Sequence, residues 1–200
     1  MTDNYAKIVQ SNLDRLYADL PKNLAEHLPG EKSGDRFVFE AFGDICQIAP
    51  GGISSGGEVP SSILGILISL YALHAGPEST ILRPFKAFKE FPDAAPYVGA
   101  FATHTEQLMV PHVEKIQPMI PVITGKLKGM EDSDAGGGDF SFIVYPLPKI
   151  ALRYIFYEAD EEFPASVTCL FSNNANRFLP MDGLADVGEY TSKKILEMLK

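Results

Sequence analysis

"FSFIVYPLPKIALRYIFYEADEEFPASVTCLFSN" runs from Phe140 to Asn173, and the reading of this stretch decides the fold. Three runs within it are rich in Val, Ile, Phe and Tyr: "FSFIVYPLP" from Phe140, "IALRYIFYEA" from Ile150 and "SVTCLFSN" from Ser166. Branched and aromatic side chains suit a pleated, half-buried surface, and turn signals separate the runs. They most simply form a three-stranded antiparallel meander, spanning 139–180. Pro164 starts the last strand, Val167, Cys169 and Phe171 alternate along it, and Asn173 to Asn176 make the next turn. Four acids, Glu158, Asp160, Glu161 and Glu162, flank the turn before it.

Working outward, the rest of the chain is largely helical. Residues 1–30 read as N-terminal helices. Apolar residues at Tyr5, Ile8, Val9, Leu13, Leu16, Tyr17 and Leu20 have helix spacing, with Asp14, Arg15 and Asp19 facing out. A short helix through Leu24 and Leu28 ends at Pro29-Gly30. "EKSGD" reads as a turn. A hairpin over 35–50 follows, with Phe37, Phe39 and Ala41 alternating on one strand and Ile45 and Ile48 on its partner. Helices fill 61–128. The first, Ser61/Ser62 to about Ala75, is apolar on nearly every face, which marks a central core helix. Phe85, Phe88 and Phe91 form one helical face or an irregular aromatic arm. Pro111, Pro118 and Pro121 interrupt the later helices. "EDSDAGGGD" (131–139) is a polar, Gly-rich loop, the segment most suited to disorder. Asp182 reads as the N-cap of a C-terminal helix over 182–200. This order predicts one α+β domain over 1–200: an antiparallel or mixed sheet of about five strands packed on helices.

Composition narrows the class. A chain of 200 residues can bury roughly 70% of its unfolded surface and needs no staples. Mean hydropathy is +0.01, the net charge is −9 and the pI is near 4.9. The Lys and Arg are scattered without a basic stripe, which argues against a nucleic-acid partner, and an acidic surface is repelled by anionic membranes. Cys46 and Cys169, far apart and inside predicted strands, read as buried small hydrophobes. No C-x-x-C is present. No signal pattern opens the chain, and its most apolar stretch, Ile63 to Leu73, is about half of a membrane span. The expectation is a cytoplasmic protein with neither membrane nor nucleic-acid partner and no cofactor evident from sequence.

Chemistry-bearing motifs are sparse. "GGISSGGEVP" (51–60) has glycines that would let backbone amides approach a phosphate, but it lacks G-K-[ST] and G-x-G-x-x-G, so it reads as a loop before a helix. "THTEQLMVPHVEK" contains His104/Glu106 and His112/Glu114, residue types that serve metal or acid–base chemistry. On a straight helix His104 and His112 stand about 80° and roughly 12 Å apart, so one metal ion does not bridge them. The acids of the hairpin turn, Glu161 and Glu162 foremost, suit a solvated turn, with a weak cation or basic-partner contact as the functional alternative. Catalytic candidates are therefore Glu161, Glu162, His104 and His112, and no metal site is expected.

The block "YPLPKIALRYIFYEADEEFPASVTCLFSNNANRFLPMDGL" resembles the domain-of-unknown-function family 3786 of anaerobic bacteria and archaea. The resemblance rests on Pro146, Pro148, Asp160, Glu161, Glu162, Phe163, Pro164, Leu170, Phe171, Leu179, Pro180, Asp182 and Leu184. The apolar helix "ILGILISLYAL" and "FKAFKEFPDAAPYVGAF" are similar to the family's central region. Ser172 stands where that pattern has Asp, and "FKAFKEF" lacks its Gly-Trp approach. Some members of the family carry a cysteine-rich iron–sulfur segment akin to those of corrinoid proteins, which implies that a corrinoid or iron–sulfur centre would come from a partner. The favoured function is a non-catalytic small-molecule or protein-binding module of anaerobic metabolism. The alternative is a small hydrolase or transferase that uses the carboxylates with or without histidine. A protein partner or a homo-oligomer through the Phe arm is the expected association.

Overall fold

The computed structural model describes residues 4–132 and 137–200 of the chain. Helices α1 (Asn4–Ala18) and α2 (Leu24–His27) lead into strands β1 (Glu31–Ser33), β2 (Arg36–Ala41), β3 (Asp44–Ala49) and β4 (Gly52–Ser55). Helix α3 (Ser62–His74) and the short β5 (Lys86–Ala87) follow. A broken helical run comprises α4 (Val98–Phe101), a π-helical turn (Ala102–Gln107), α5 (Val113–Ile116) and α6 (Ile120–Lys126). Then come β6 (Met130–Glu131), β7 (Phe140–Leu147), β8 (Ile150–Tyr157), β9 (Ser166–Phe171) and α7 (Met181–Glu197).

Among the described residues the strands form two antiparallel sheets, ordered β1-β2-β3-β4 and β5-β9-β8-β7-β6. The α+β class holds, and the meander is the centre of the five-stranded sheet. The single sheet expected from sequence is instead two. "EKSGD" is a turn only at its end: Glu31–Ser33 pair with β2, although all three side chains are exposed. The first half of the Gly-rich loop pairs with β3, from Ala49↔Gly52 to Cys46↔Ser55. Both strands are recruited through backbone hydrogen bonds, which side-chain polarity does not reveal. Residues 133–136 of the loop expected to be disordered lie outside the described residues.

Alternation gives the larger sheet two different faces. On one, Phe142, Leu152, Tyr154, Phe156, Val167, Cys169 and Phe171 join the main apolar cluster. The π-helical turn lies against β9 on this face, and α7 packs on that turn and on α4. A Cβ at Gly188 would come within 2.5 Å of the Phe101 ring, so only glycine permits this helix spacing. Phe88 stacks on Phe101 with ring centroids 4.5 Å apart, and Phe88 and Phe91 are buried. Phe88 and Phe91 of the expected arm thus belong to the chain's own core, where they are not available to an interface, while Phe85 is half-buried. Helix α3 touches α1, α7 and β4, and its Tyr71 meets Phe39 of the smaller sheet at 5.8 Å. It is the central apolar helix of the sequence reading.

The opposite face of the larger sheet is also buried. It carries Ile143, Ala151, Ile155 and, at its centre, Arg153. The Arg153 guanidinium forms an ion pair with Asp132 at 2.7 Å, both side chains being 8% exposed. The residues linking α3 to β5 cross this face as a strap. Phe85 lies under both Arg83 and Arg153, and Arg83 also reaches Asp132. Asn174 clamps the strap: its Oδ1 accepts the Ile81 amide at 2.8 Å and its Nδ2 donates to the Ser79 carbonyl at 3.0 Å. Asn173 repeats the device, with its Nδ2 donating to the Pro84 carbonyl. The "SNNAN" turn is therefore a fastening.

Two other joints complete the frame. Asp44, the first residue of β3, accepts from Lys126 of α6 and Lys194 of α7. Partial burial opposes its ionisation, but the two ammonium groups outweigh that and hold its carboxyl below the usual range. Helix α7 starts one residue before the expected cap. Pro180 is its N-cap, and Asp182 lies in the first turn, where a carboxylate favours the helix dipole.

The clamp predicts a local effect. Asn174→Ala removes two hydrogen bonds to the strap and should cost about 1–3 kcal/mol in equilibrium unfolding. The Ile81 amide should also lose hydrogen-exchange protection, while the β7 and β8 amides keep theirs.

Candidate functional site

The residues singled out from sequence are not brought together. His104 is exposed on the π-helical turn, and His112 is half-buried ahead of α5. Glu161 and Glu162 are exposed at the β8–β9 hairpin. Among the described residues no group of three or more His, Cys, Asp and Glu side chains is placed to hold a metal ion. The hairpin itself is ordered by Asp160. Its Oδ1 accepts the amides of Glu162 at 2.8 Å and Phe163 at 2.7 Å, and its own amide donates to the Phe163 carbonyl. The Phe163 and Glu162 amides hold the Asp160 carboxyl below the usual range. This Asx turn leaves Phe163 66% exposed at the tip.

One residue of the His-x-Glu pairs has a role that its spacing concealed. The π-helical turn directs Glu106 inward, where its Oε1 accepts the Cys169 amide at 2.9 Å. Strand β5 pairs with β9 only at Phe171 and Leu170. Glu106 satisfies the next outward-pointing amide, at the point where the short edge strand stops. A π-helical turn carries an extra residue per turn, which sets this side chain off the regular helical stripe. Beside it, the Tyr154 hydroxyl and Ser192 Oγ are 2.9 Å apart, and Ser192 donates to the Thr105 carbonyl. Burial pushes the Glu106 carboxyl, the Tyr154 phenol and the Cys169 thiol upward. Tyr154, Cys169 and Ser192 are closed off from solvent. Their network joins β8 to α7 and the π-helical turn, a structural role.

An apolar surface groove lies elsewhere. Helix α1, the loop 51–60 and the start of α3 enclose a groove of 330 Å³ lined by Tyr5, Val9, Ile53, Val59 and Pro60. Gly65 lets the two helices close at its base, since a Cβ there would reach Val9 Cγ2 at 3.3 Å. Tyr5 is 50% exposed and Val59 89% exposed. Ile8 and Ile63, on the same two helices, are also exposed. Sequence spacing placed Tyr5 and Ile8 on the inner face of α1. That face runs past the end of the core, so its first turn projects beyond the residues that cover Leu13 and Leu16. The Gly-rich loop contributes a wall: Gly56 and Gly57, with φ of 60° and 86°, turn the chain between Ser55 and Glu58.

Residues 20–194 match a family model described as Domain of unknown function (DUF3786). No curated protein and no solved structure matches the chain. The loop and α3 walls of the groove fall within the matched residues, and α1 precedes them. Among the described residues no helix is long and apolar enough to cross a membrane.

The Glu106 contact separates a charge from a hydrogen bond. Glu106→Ala strands the Cys169 amide and should lose about 1–3 kcal/mol. Glu106→Gln retains an acceptor. Because the folded-state pKa of Glu106 is raised, wild-type stability is complete below the unfolded value and falls as pH rises above it. Equilibrium unfolding should find the Gln variant at least as stable as wild type at pH 7, with any advantage gone below about pH 4.

Proposed function

The chain belongs to this family of unknown function, and on that premise we propose that it is a non-catalytic binding module. Its groove between α1, the 51–60 loop and α3 takes an apolar segment of a partner protein. The observation that carries this reading is the gathering of exposed Tyr5 and Val59 around one groove. Exposed apolar patches of this kind mark interaction sites more often than scattered single residues do. Binding would cover apolar side chains exposed at the groove, Val59 above all, so the gain is the transfer of apolar surface out of water.

A partner carrying the corrinoid or iron–sulfur centre implied by the sequence resemblance is compatible with the state of the cysteines. Cys46 and Cys169 are both buried as free thiols, and Cys46 Sγ lies 3.5 Å from Ser55 Oγ. Burial raises both thiol pKa values, which opposes the thiolate that a cluster needs. These two cysteines therefore do not fit an iron–sulfur cluster on this chain.

A photoreactive phenylalanine analogue in place of Val59, irradiated in cells of the source organism, tests the reading. The expected result is one discrete adduct with a different protein, strongly reduced by Ile63→Asp. Absence of an adduct, or an adduct indifferent to Ile63→Asp, would overturn it.

A further inference from the structure

A second groove, remote in sequence from the first, has an occupant that the chain itself supplies. It lies between the end of the π-helical region and the C-terminal half of α7, with a volume of 430 Å³. Leu108, Leu196 and Leu199 give it apolar walls, and His112, Lys115, Lys193 and Lys200 stand around it with Glu197, Lys193 also pairing with Glu189 one turn earlier on α7. This makes it an apolar hole within a basic rim on a chain whose net charge is −9. The complementary object is the β8–β9 hairpin tip. There Phe163 is 66% exposed, between Glu161 and Glu162 on one side and Pro164 on the other.

Hole and tip are neighbours on the same side of the molecule. Lys115, on the rim of the hole, also lines an adjoining depression together with Glu158, Ala159 and Ala165 from the two stems of the hairpin. Adjacent complementary patches on one face are the requirement of an isologous dimer, in which each copy offers the other the same pair of surfaces. A two-fold axis through the shared depression would seat each Phe163 in the partner's hole and bring Glu161 and Glu162 against the partner's lysines.

We propose that the protein self-associates as a two-fold dimer, with the Phe163 hairpin of each copy docked in the Leu108–Leu196–Leu199 groove of the other. Aromatic burial at the centre supplies affinity, and the surrounding charges supply orientation. Because those charges are exposed at the rim, raising the salt concentration weakens the dimer. This surface is separate from the α1–α3 groove, and its test does not depend on the function proposed for that groove.

Sedimentation equilibrium over a concentration series, at low and high salt, reads the association directly. Wild type should show a reversible monomer–dimer equilibrium built on 21.9 kDa, weakened by salt. Phe163→Ala should raise the dissociation constant by about tenfold or more. Its circular dichroism melting curve should remain unchanged, because the side chain makes little contact within its own chain. The doubly reversed hairpin (Glu161→Lys, Glu162→Lys) and the reversed rim (Lys115→Glu, Lys193→Glu) should each be monomeric alone. Mixed together they should form a heterodimer, since both of its contacts regain opposite charge. A wild-type protein that stays monomeric up to about 1 mM at low salt, far weaker than a specific dimer, overturns the proposal. So does a dimer indifferent to Phe163→Ala, or reversed variants that fail to pair.

Discussion

A sheet buried on both faces has to dispose of every polar group on each of them, and in this protein that constraint centres on Arg153. The residue lies mid-strand in β8, on the face away from the helices, with 8% of its side chain exposed. An unpaired guanidinium there would cost several kcal/mol, more than the burial of one large apolar side chain contributes. Asp132 answers the charge, and Phe85 and Arg83 close over it. The strap that carries Phe85 is in turn held by Asn173 and Asn174, residues of the turn that follows β9. One charge in a strand thus determines why a non-helical segment crosses the sheet and why the next turn contains two asparagines.

The apolar face meets a different problem, at its edge. Strand β5 is two residues long, so β9 has an amide that no strand reaches, and Glu106 accepts it from the π-helical turn. That contact and the Tyr154–Ser192–Thr105 chain tie the π-helical turn and α7 to the sheet, and the close approach at Gly188 packs α7 on Phe101 of α4. Most polar groups of this layer are used by the fold, Thr105 Oγ1 excepted. Among the surfaces left available are the α1–α3 groove, the basic-rimmed groove beside α7 and the projecting Phe163. A binding role fits this division, with interior chemistry used for cohesion and contact surface presented at the margins.

The meander and the apolar central helix were legible because periodicity and β-branching report burial directly. Strands β1 and β4 were not, since polar and glycine-rich segments join a sheet through their backbones. The fate of the Phe arm, left open between a helical face and an irregular arm, was decided by Phe101 and Phe171, which lie far away in sequence. Glu106 was visible only as half of a His-x-Glu pair, because a π-helical turn breaks the spacing on which such a reading depends. Arg153 did carry a signal: a lone charge inside "IALRYIFY" is costly unless something pairs with it. Nothing in the sequence identified that something as Asp132, because the pairing is tertiary. The hairpin acids were legible as a solvated turn, whereas the exposure of the Phe beside them was not.

Whether the Arg153–Asp132 pair is what closes the second face can be measured with a double-mutant cycle in equilibrium unfolding. Asp132→Ala and Arg153→Met should each lose about 3–5 kcal/mol, because each removes one half of a buried ion pair. The double variant should lose far less than the sum, since no opposed charge remains stranded. Single losses that add to within about 0.5 kcal/mol in the double variant would contradict a closure that depends on the pair.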